Sequence, residues 1–183
     1  MNDNVQNLKI RLETAVAEAL NKAQGFFNQA ETLFPSEWTH DLEKNLPVEQ
    51  VRDQVREISI GVPIWDTEDS DFILIRLNGE FTYNSELWKV TEGLHSRHEY
   101  QVTDVSWTLQ MTYRELNGFS WVGDDPYSPM YMDRMEAKYS ISKNESGVWT
   151  VSDKAVDNFI AEMMTEVFDK ASDKEVEVNI DIS

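Results

Sequence analysis

Two of the three histidines in this chain lie close to two glutamates, a combination that can bind a metal ion. On a helix, Glu92, His95 and Glu99 would share one face with His98 beside them, and imidazole and carboxylate groups are ligands for zinc and iron. The spacing lacks the His-Glu-x-x-His order that places a general base between two ligands, and Gly93 weakens the helix. We therefore predict a polar connection leading into a strand. A metal-dependent enzyme is retained as an alternative.

A second group of acids lies in a short segment that follows Trp65. Asp66, Glu68, Asp69 and Asp71 supply four carboxylates, and calcium binds where several oxygens converge. The order of a calcium loop is broken, because Asp71 stands where the turn glycine belongs. We expect a solvated loop, here called the acidic loop, that serves as a secondary contact surface.

The third group lies on the predicted last helix and is here called the acid ridge. Glu162, Glu166, Asp169 and Asp173 are spaced at i, i+4, i+7 and i+11, so an α-helix would place them within about 60° of arc and about 5.5 Å apart. Like charges at this spacing repel by a few tenths of a kcal/mol per pair. A partner that presents lysines and arginines would offset this repulsion. The alternative is a solvated face that is acidic for solubility.

Composition excludes several classes of function. The 183 residues include 34 acids and 16 lysines and arginines, which gives a formal net charge of −18. Because contacts with phosphates normally need basic side chains, we expect no direct binding of nucleic acid or of an anionic membrane. The chain has no cysteine, no Gly-x-Ser-x-Gly and no glycine-rich phosphate loop, so we predict no cofactor. No apolar run approaches the roughly 18 residues of a membrane span, and Asp3 replaces the basic start of a signal peptide, so we expect a cytoplasmic protein.

The remaining function is binding to another protein. In charge, size and lack of a catalytic motif, the chain resembles small acidic inhibitors: phage proteins that imitate DNA, immunity proteins and acidic secretion chaperones. The resemblance concerns composition alone and assigns no residue. We predict a non-enzymatic module that docks a basic surface on a partner protein. A structural or assembly component that forms oligomers is the second hypothesis.

The pattern of apolar residues predicts one α+β domain, with residues 1–57 mainly helical and 58–183 forming the sheet and a last helix. Residues 5–33 carry one apolar face typical of an amphipathic helix. Ser36 can cap a short helix through Trp38, and Pro47 suits the first turn of the next.

The alternation of apolar and polar residues from Ile58 to Val151 predicts an antiparallel meander of about five to seven strands. Asn78-Gly79 and Asn117-Gly118 predict two tight hairpin turns, because type I′ turns need positive φ at both central residues. Residues 144–147 predict a third turn. Residues 84–96 fit either a strand or a short helix, and residues 123–129 predict a surface loop.

The end of the chain combines a helix with a strand pattern. Residues 153–172 predict an amphipathic helix capped by Ser152 that lies on the sheet. Beyond it the apolar residues alternate with polar and acidic ones, so we predict that this segment adds to a sheet, either its own or that of a second copy or partner. The alternating apolar residues, here called the strand-addition segment, are Val176, Val178, Ile180 and Ile182.

Overall fold

A computed structural model describes residues 3–33, 37–40, 47–65, 67, 69–89, 96–122 and 125–168. Within these residues the fold is α+β, as the sequence predicts. The helices are α1 (Asp3–Leu33), α2 (Pro47–Arg56) and α3 (Ala155–Met163), and α3 continues into a π-helical segment, Met164–Phe168. The strands are β1 (Glu37–His40), β2 (Ser59–Pro63), β3 (Phe72–Lys89), β4 (Ser96–Val122), β5 (Asp125–Lys143) and β6 (Trp149–Thr150). No helix in the described ranges is both long and apolar enough to cross a membrane.

The long helix α1 confirms the prediction for residues 5–33. Apolar side chains recur every three or four residues along it, so one face is buried while Glu18 and Lys22 on the other face stay in solvent. In α2, Pro47 occupies the first turn as predicted, and Val51 and Val55 are buried. The buried residues of α1 are Leu8, Leu12, Ala15, Val16, Ala19, Leu20, Ala23, Phe27 and Ala30.

Residues 37–40 form the strand β1, so the short helix predicted after Ser36 is wrong. Trp38 lies opposite Tyr100 and Thr39 lies opposite Glu99 in an antiparallel ladder with β4. Tryptophan and threonine are good strand formers, and pairing with a distant segment outweighs the local capping signal.

The sheet is an antiparallel meander in the order β2-β3-β4-β5-β6, with β1 also paired to β4. The six described strands agree with the predicted number. β5 pairs with β4 from Trp107 to Val122, whereas β1 pairs with β4 from His98 to Gln101. Because β3 pairs with both parts of β4, β1 and β5 occupy successive parts of its other edge.

The helices cover one face of the middle of this sheet. The central sheet, defined here as residues 72–82, 104–113 and 135–143, buries every second residue against α1 and its neighbours. These side chains and the helices form one hydrophobic core. The buried residues of the central sheet are Ile73, Ile75, Leu77, Gly79, Trp107, Leu109, Met111, Tyr113, Met135 and Ile141, together with Thr112, which is polar.

The predicted hairpin turn at Asn78-Gly79 is wrong, because β3 runs straight through both residues. Asn78 lies opposite Thr108, and Gly79 lies opposite Trp107. A Cβ atom on Gly79 would lie 2.2 Å from Cζ3 of Trp107, so the glycine is required by the indole ring and not by a turn. β3 and β4 remain paired as far as Lys89 and Ser96. Of the ambiguous residues 84–96, those up to 89 are therefore strand.

The predicted turn at Asn117-Gly118 is also wrong, because it is an irregularity inside β4. The register passes from Leu116 opposite Tyr131 to Phe119 opposite Pro129, so two residues of β4 face one of β5. This is the arrangement of a β-bulge, and the φ of Gly118 is +86°.

The predicted surface loop at 123–129 is wrong from Asp125 onward, because β5 begins there. A proline cannot donate to a ladder, but Pro129 lies in the part of the pairing where the register shifts twice. The third hairpin is confirmed: Asn144 Oδ1 accepts a hydrogen bond of 2.9 Å from the N–H of Val148, and Gly147 has φ +80°.

Helix α3 confirms the predicted last helix, although it begins at Ala155 and not at residue 153. The predicted cap at Ser152 is wrong, because the N-cap position is Lys154 and no side chain caps the helix. Ser152 lies in the turn before it, where its Oγ accepts from the N–H of Lys154 at 3.3 Å and its carbonyl accepts from the N–H of Ala155 at 3.0 Å. The predicted end at Ser172 lies outside the described residues. The helix packs on α1 and β5 through Val156, Phe159, Ile160 and Met163, which are all buried.

Candidate functional site

Half of the acid ridge lies within the described residues. Glu162 is on α3 and Glu166 is on the π-helical segment, and both side chains are exposed. Asp169 and Asp173 lie outside the described residues. A π-helix bonds residue i to i+5 and turns less per residue than an α-helix, so the uniform spacing predicted for the ridge holds only as far as Met163.

Helix α1 neutralises one exposed acid of α3, Asp157, and leaves the described acids of the ridge unpaired. Lys9 of α1 lies 2.9 Å from Asp157 and 3.8 Å from Glu13, and the hydrogen bond with Asp157 raises the pKa of Lys9. Glu162 and Glu166 form no ion pair with any side chain in the part of the chain that the structure describes.

The charge of Glu162 acts on the neighbouring sheet. Burial raises the pKa of Tyr139 on β5, and the carboxylate of Glu162 raises it further. The carboxylate of Glu162 is therefore close enough to Tyr139 to act on its hydroxyl.

Two residues of the acidic loop, Asp69 and Asp71, lie in different environments. Asp69 is exposed with φ 49°, a left-handed conformation that aspartate tolerates. Asp71 instead holds two parts of the sheet together: Tyr113 donates its hydroxyl to Oδ2, and Leu116 donates its N–H to Oδ1, both at 2.8 Å. The prediction of a solvated carboxylate is therefore wrong for Asp71. Asp66 and Glu68 lie outside the described residues.

Tyr113, which donates the hydrogen bond to Asp71, is buried. Burial raises the pKa of the Tyr113 hydroxyl well above its ordinary value, and the hydrogen bond to the Asp71 carboxylate raises it further. The charges of Asp69 and Asp71 add to the effect of burial in raising the pKa of Tyr131. Asp71 thus acts as the acceptor that fixes the end of the central sheet.

The candidate metal ligands do not share a helix. His98 and Glu99 are successive residues of the strand β4, so the helical geometry assumed for them is wrong. Glu92 and His95 lie outside the described residues. Among the side chains that the structure describes, no group of three histidines, aspartates or glutamates is placed to hold a metal ion. The strand-addition segment, Val176, Val178, Ile180 and Ile182, also lies outside them.

Sequence reasoning missed a cleft of about 180 Å³ where α1, β4 and β6 meet. Phe27 contacts two indole rings there, with ring centroids 4.9 Å from Trp107 and 5.5 Å from Trp149. The acids Glu31 and Asp104 also line the cleft. No local motif predicts it, because its residues come from distant segments that only the fold brings together. The lining residues of this aromatic cleft are Phe27, Glu31, Asp104, Val105, Trp107 and Trp149.

A second cleft, of about 150 Å³, lies at the other end of α1 and is mostly apolar. Phe168 borders it, with its ring centroid 6.4 Å from that of Trp65 and 6.2 Å from that of Tyr113. These contacts fix the end of the π-helical segment on the sheet. The cleft is lined by Asn4, Val5, Leu8, Ile64, Trp65, Met163, Met164 and Phe168.

The distal parts of β4 and β5 form a hairpin outside the hydrophobic core. This outer hairpin, defined as residues 114–122 and 125–134, contributes none of its described side chains to the core. Phe119, Met130 and Met132 are large apolar residues exposed at 51%, 44% and 39%. Exposed apolar side chains on a projecting hairpin are typical of a contact surface.

Comparison with known proteins yields no match to a family model, to a curated protein or to a solved structure.

Proposed function

We propose that this protein is a non-enzymatic binding module that docks its acidic surface onto a basic surface of a partner protein. The observation that carries the proposal is the unequal pairing of charge. Seven described lysines and arginines, Lys9 and Lys143 among them, lie within 4.0 Å of acids of the same chain. Glu162 and Glu166 are exposed and have no such partner among the described residues, so their charge is available to a second molecule.

The net charge of −18 determines which partners this surface attracts. Each exposed ion pair contributes little affinity, about 0–1 kcal/mol, but a single-signed field speeds the encounter with an oppositely charged protein. The proposal therefore requires a basic partner and an affinity that falls as salt is added.

The test replaces the acid ridge and compares it with a control of equal charge. In the ridge variant, Glu162→Gln and Glu166→Gln are combined with Asp169→Asn and Asp173→Asn. The control variant removes four exposed acids that form no ion pair within the described residues: Glu57→Gln, Glu80→Gln, Glu145→Gln and Asp153→Asn. Both variants have the same net charge, so a difference between them reports location and not total charge.

We expect partner capture to fall at least fivefold for the ridge variant and less than twofold for the control. The ridge variant should melt at the same temperature or slightly higher, because mutual repulsion is removed. Equal capture by the two variants would show that the acid ridge does not contact the partner and is only a solvated face.

An assembly component is the second candidate, and the outer hairpin favours it. Phe119, Met130 and Met132 lie outside the core, and their burial between copies would stabilise an oligomer by the hydrophobic effect. Such an oligomer would be little affected by salt. Sedimentation at low and high salt distinguishes it from charge-driven docking.

A further inference from the structure

The aromatic cleft has walls that are held in place by specific contacts. The side-chain amide of Gln24 donates to the carbonyl of Trp149 at 2.8 Å and accepts from its N–H at 3.0 Å. The indole N–H of Trp149 donates to Oδ1 of Asn28 at 3.2 Å. On the opposite side Trp107 is seated against Gly79, where no other residue type would fit. A pre-formed cleft binds without the cost of ordering its own side chains.

The charges at this cleft favour a cation. Glu31 lies 2.8 Å from Lys143, so its charge is partly balanced within the chain. Asp104 on β4 is exposed and forms no ion pair with the described residues. Two carboxylates against one ammonium group leave the cleft with an excess of negative charge.

The indole N–H of Trp107, one of the residues that line the cleft, lacks a hydrogen-bond partner among the described residues. Trp107 is only 2% exposed. The benzene edge of the ring faces Gly79 on β3. A buried donor without an acceptor is unfavourable, so this indole is held in place by packing and not by a hydrogen bond.

We propose that the aromatic cleft receives one arginine side chain of the basic partner. This inference rests on the proposed function and identifies the residue that anchors the partner. The aliphatic stem of arginine packs against the half-buried indole of Trp149, and its planar guanidinium stacks on aromatic rings and bonds to carboxylates such as that of Asp104. Arginine is also enriched among the residues that dominate protein interfaces.

The probe is a capped tripeptide, acetyl-Gly-Arg-Gly-amide, and its control is the same peptide with citrulline, which keeps the shape but has no charge. Binding is followed by the indole N–H signals of the six tryptophans in two-dimensional NMR spectra of the full chain. We expect the arginine peptide to shift the signals of Trp107 and Trp149 in a saturable manner, with a Kd at least fivefold below that for the citrulline peptide.

Two variants locate the site. Asp104→Asn should raise the Kd of the arginine peptide by about two- to fivefold, as expected for one exposed carboxylate partner. Glu57→Gln, which removes an exposed acid outside the cleft, should leave the Kd unchanged. Indole spectra and melting temperatures of the free variants establish that both are folded.

The inference is overturned if the arginine peptide shifts neither indole signal, if citrulline binds as well, or if Asp104→Asn has no effect. These outcomes are independent of the proposed function, because the ridge variant keeps the cleft intact and should bind the peptide normally. A ridge variant with unchanged partner capture contradicts the proposed function alone, whereas a wild-type chain that does not bind the arginine peptide contradicts the arginine site alone.

Discussion

The central sheet and the outer hairpin share the strands β4 and β5, but the helices cover only the central sheet. In the central sheet, Trp107, Leu109 and Met111 are buried under the helices. In the outer hairpin, Phe119 and Met130 are in contact with solvent. The two regions show that a continuous ladder extends well beyond the core that stabilises it. We infer that stability resides in the central sheet and that the outer hairpin is free to contact other molecules.

Ion pairs between side chains join the two strands of the outer hairpin. Arg114 lies 2.8 Å from Asp133, and Arg134 lies 3.0 Å from Glu115, each pair joining β4 to β5. Exposed pairs of this kind contribute little stability, about 0–1 kcal/mol each. One aromatic contact, between Tyr131 and Phe72 with ring centroids 4.8 Å apart, connects the hairpin to β3. The hairpin therefore depends on the central sheet and contributes little to its stability.

The largest effect is expected where the central sheet is most tightly packed. Gly79→Val would drive a side chain into the ring of Trp107, whose Cζ3 lies 2.2 Å from the required Cβ position. Overpacking of this kind costs about 1 to 3 kcal/mol. Chemical denaturation should show this loss. The control is Gly25→Ala on α1, where the added methyl meets nothing within 4 Å and should stabilise the helix by about 0.5–1 kcal/mol. Unchanged stability for Gly79→Val would contradict the register between β3 and β4.

A smaller effect is expected at the boundary between the two regions. Tyr113→Phe removes the hydroxyl that donates to Asp71 at 2.8 Å, a loss of about 1 kcal/mol. Asp71→Asn retains an acceptor for Tyr113 and should cost less than removing the side chain with Asp71→Ala. Equal losses for the two Asp71 variants would show that the hydrogen bonds do not connect the regions.

Tyr113 makes the stability of the central sheet sensitive to high pH. The folded pKa of Tyr113 is raised above its ordinary value of 10.0, so above that pH the unfolded chain releases a proton that the folded chain retains. Stability contributed by this group is complete below pH 10.0 and is lost as pH rises towards the folded pKa. Unfolding free energies measured from neutral to alkaline pH should decline less steeply in Tyr113→Phe than in the wild type. An identical decline would assign the alkaline sensitivity to other groups.

The smallest effect on stability is expected in the outer hairpin. Replacing Phe119, Met130 and Met132 by serine removes exposed apolar surface, so each change should alter the free energy of unfolding by less than about 0.5 kcal/mol. Denaturation measures this directly, and sedimentation of the same variant tests whether the hairpin mediates self-association. A loss of several kcal/mol would show that the hairpin belongs to the core.

The regions also differ in how far the sequence predicts them. Helical periodicity identified the buried faces of α1 and α3, because side chains such as Leu12 and Phe159 repeat at the period of the element that buries them. Alternation likewise identified the buried residues from Trp107 to Tyr113. The turn predicted from Asn78-Gly79 is wrong, because a glycine can be required by close packing as well as by a positive φ. The turn predicted around Gly147 is confirmed, and it connects two short paired segments.

The candidate surfaces were predictable only in part. The exposure of Glu162 follows from its place opposite the apolar stripe of α3, which the sequence contains. The structural role of Asp71 depends on Tyr113 and Leu116, which lie far along the chain, and the aromatic cleft depends on contacts between α1 and two strands. Such sites arise from tertiary packing, and no spacing within a single segment encodes them.

The central claim is that the protein docks through charge, and the salt dependence of its affinity for a captured partner tests this most directly. Between about 0.01 M and about 1 M salt, the Debye length falls from about 30 Å to about 3 Å, so attraction between exposed charges is largely removed. Charge-driven docking predicts a Kd that rises at least tenfold over this range, mainly through a slower association rate. A Kd that stays constant, or that falls as salt strengthens apolar contacts, would contradict the claim and favour assembly through the outer hairpin.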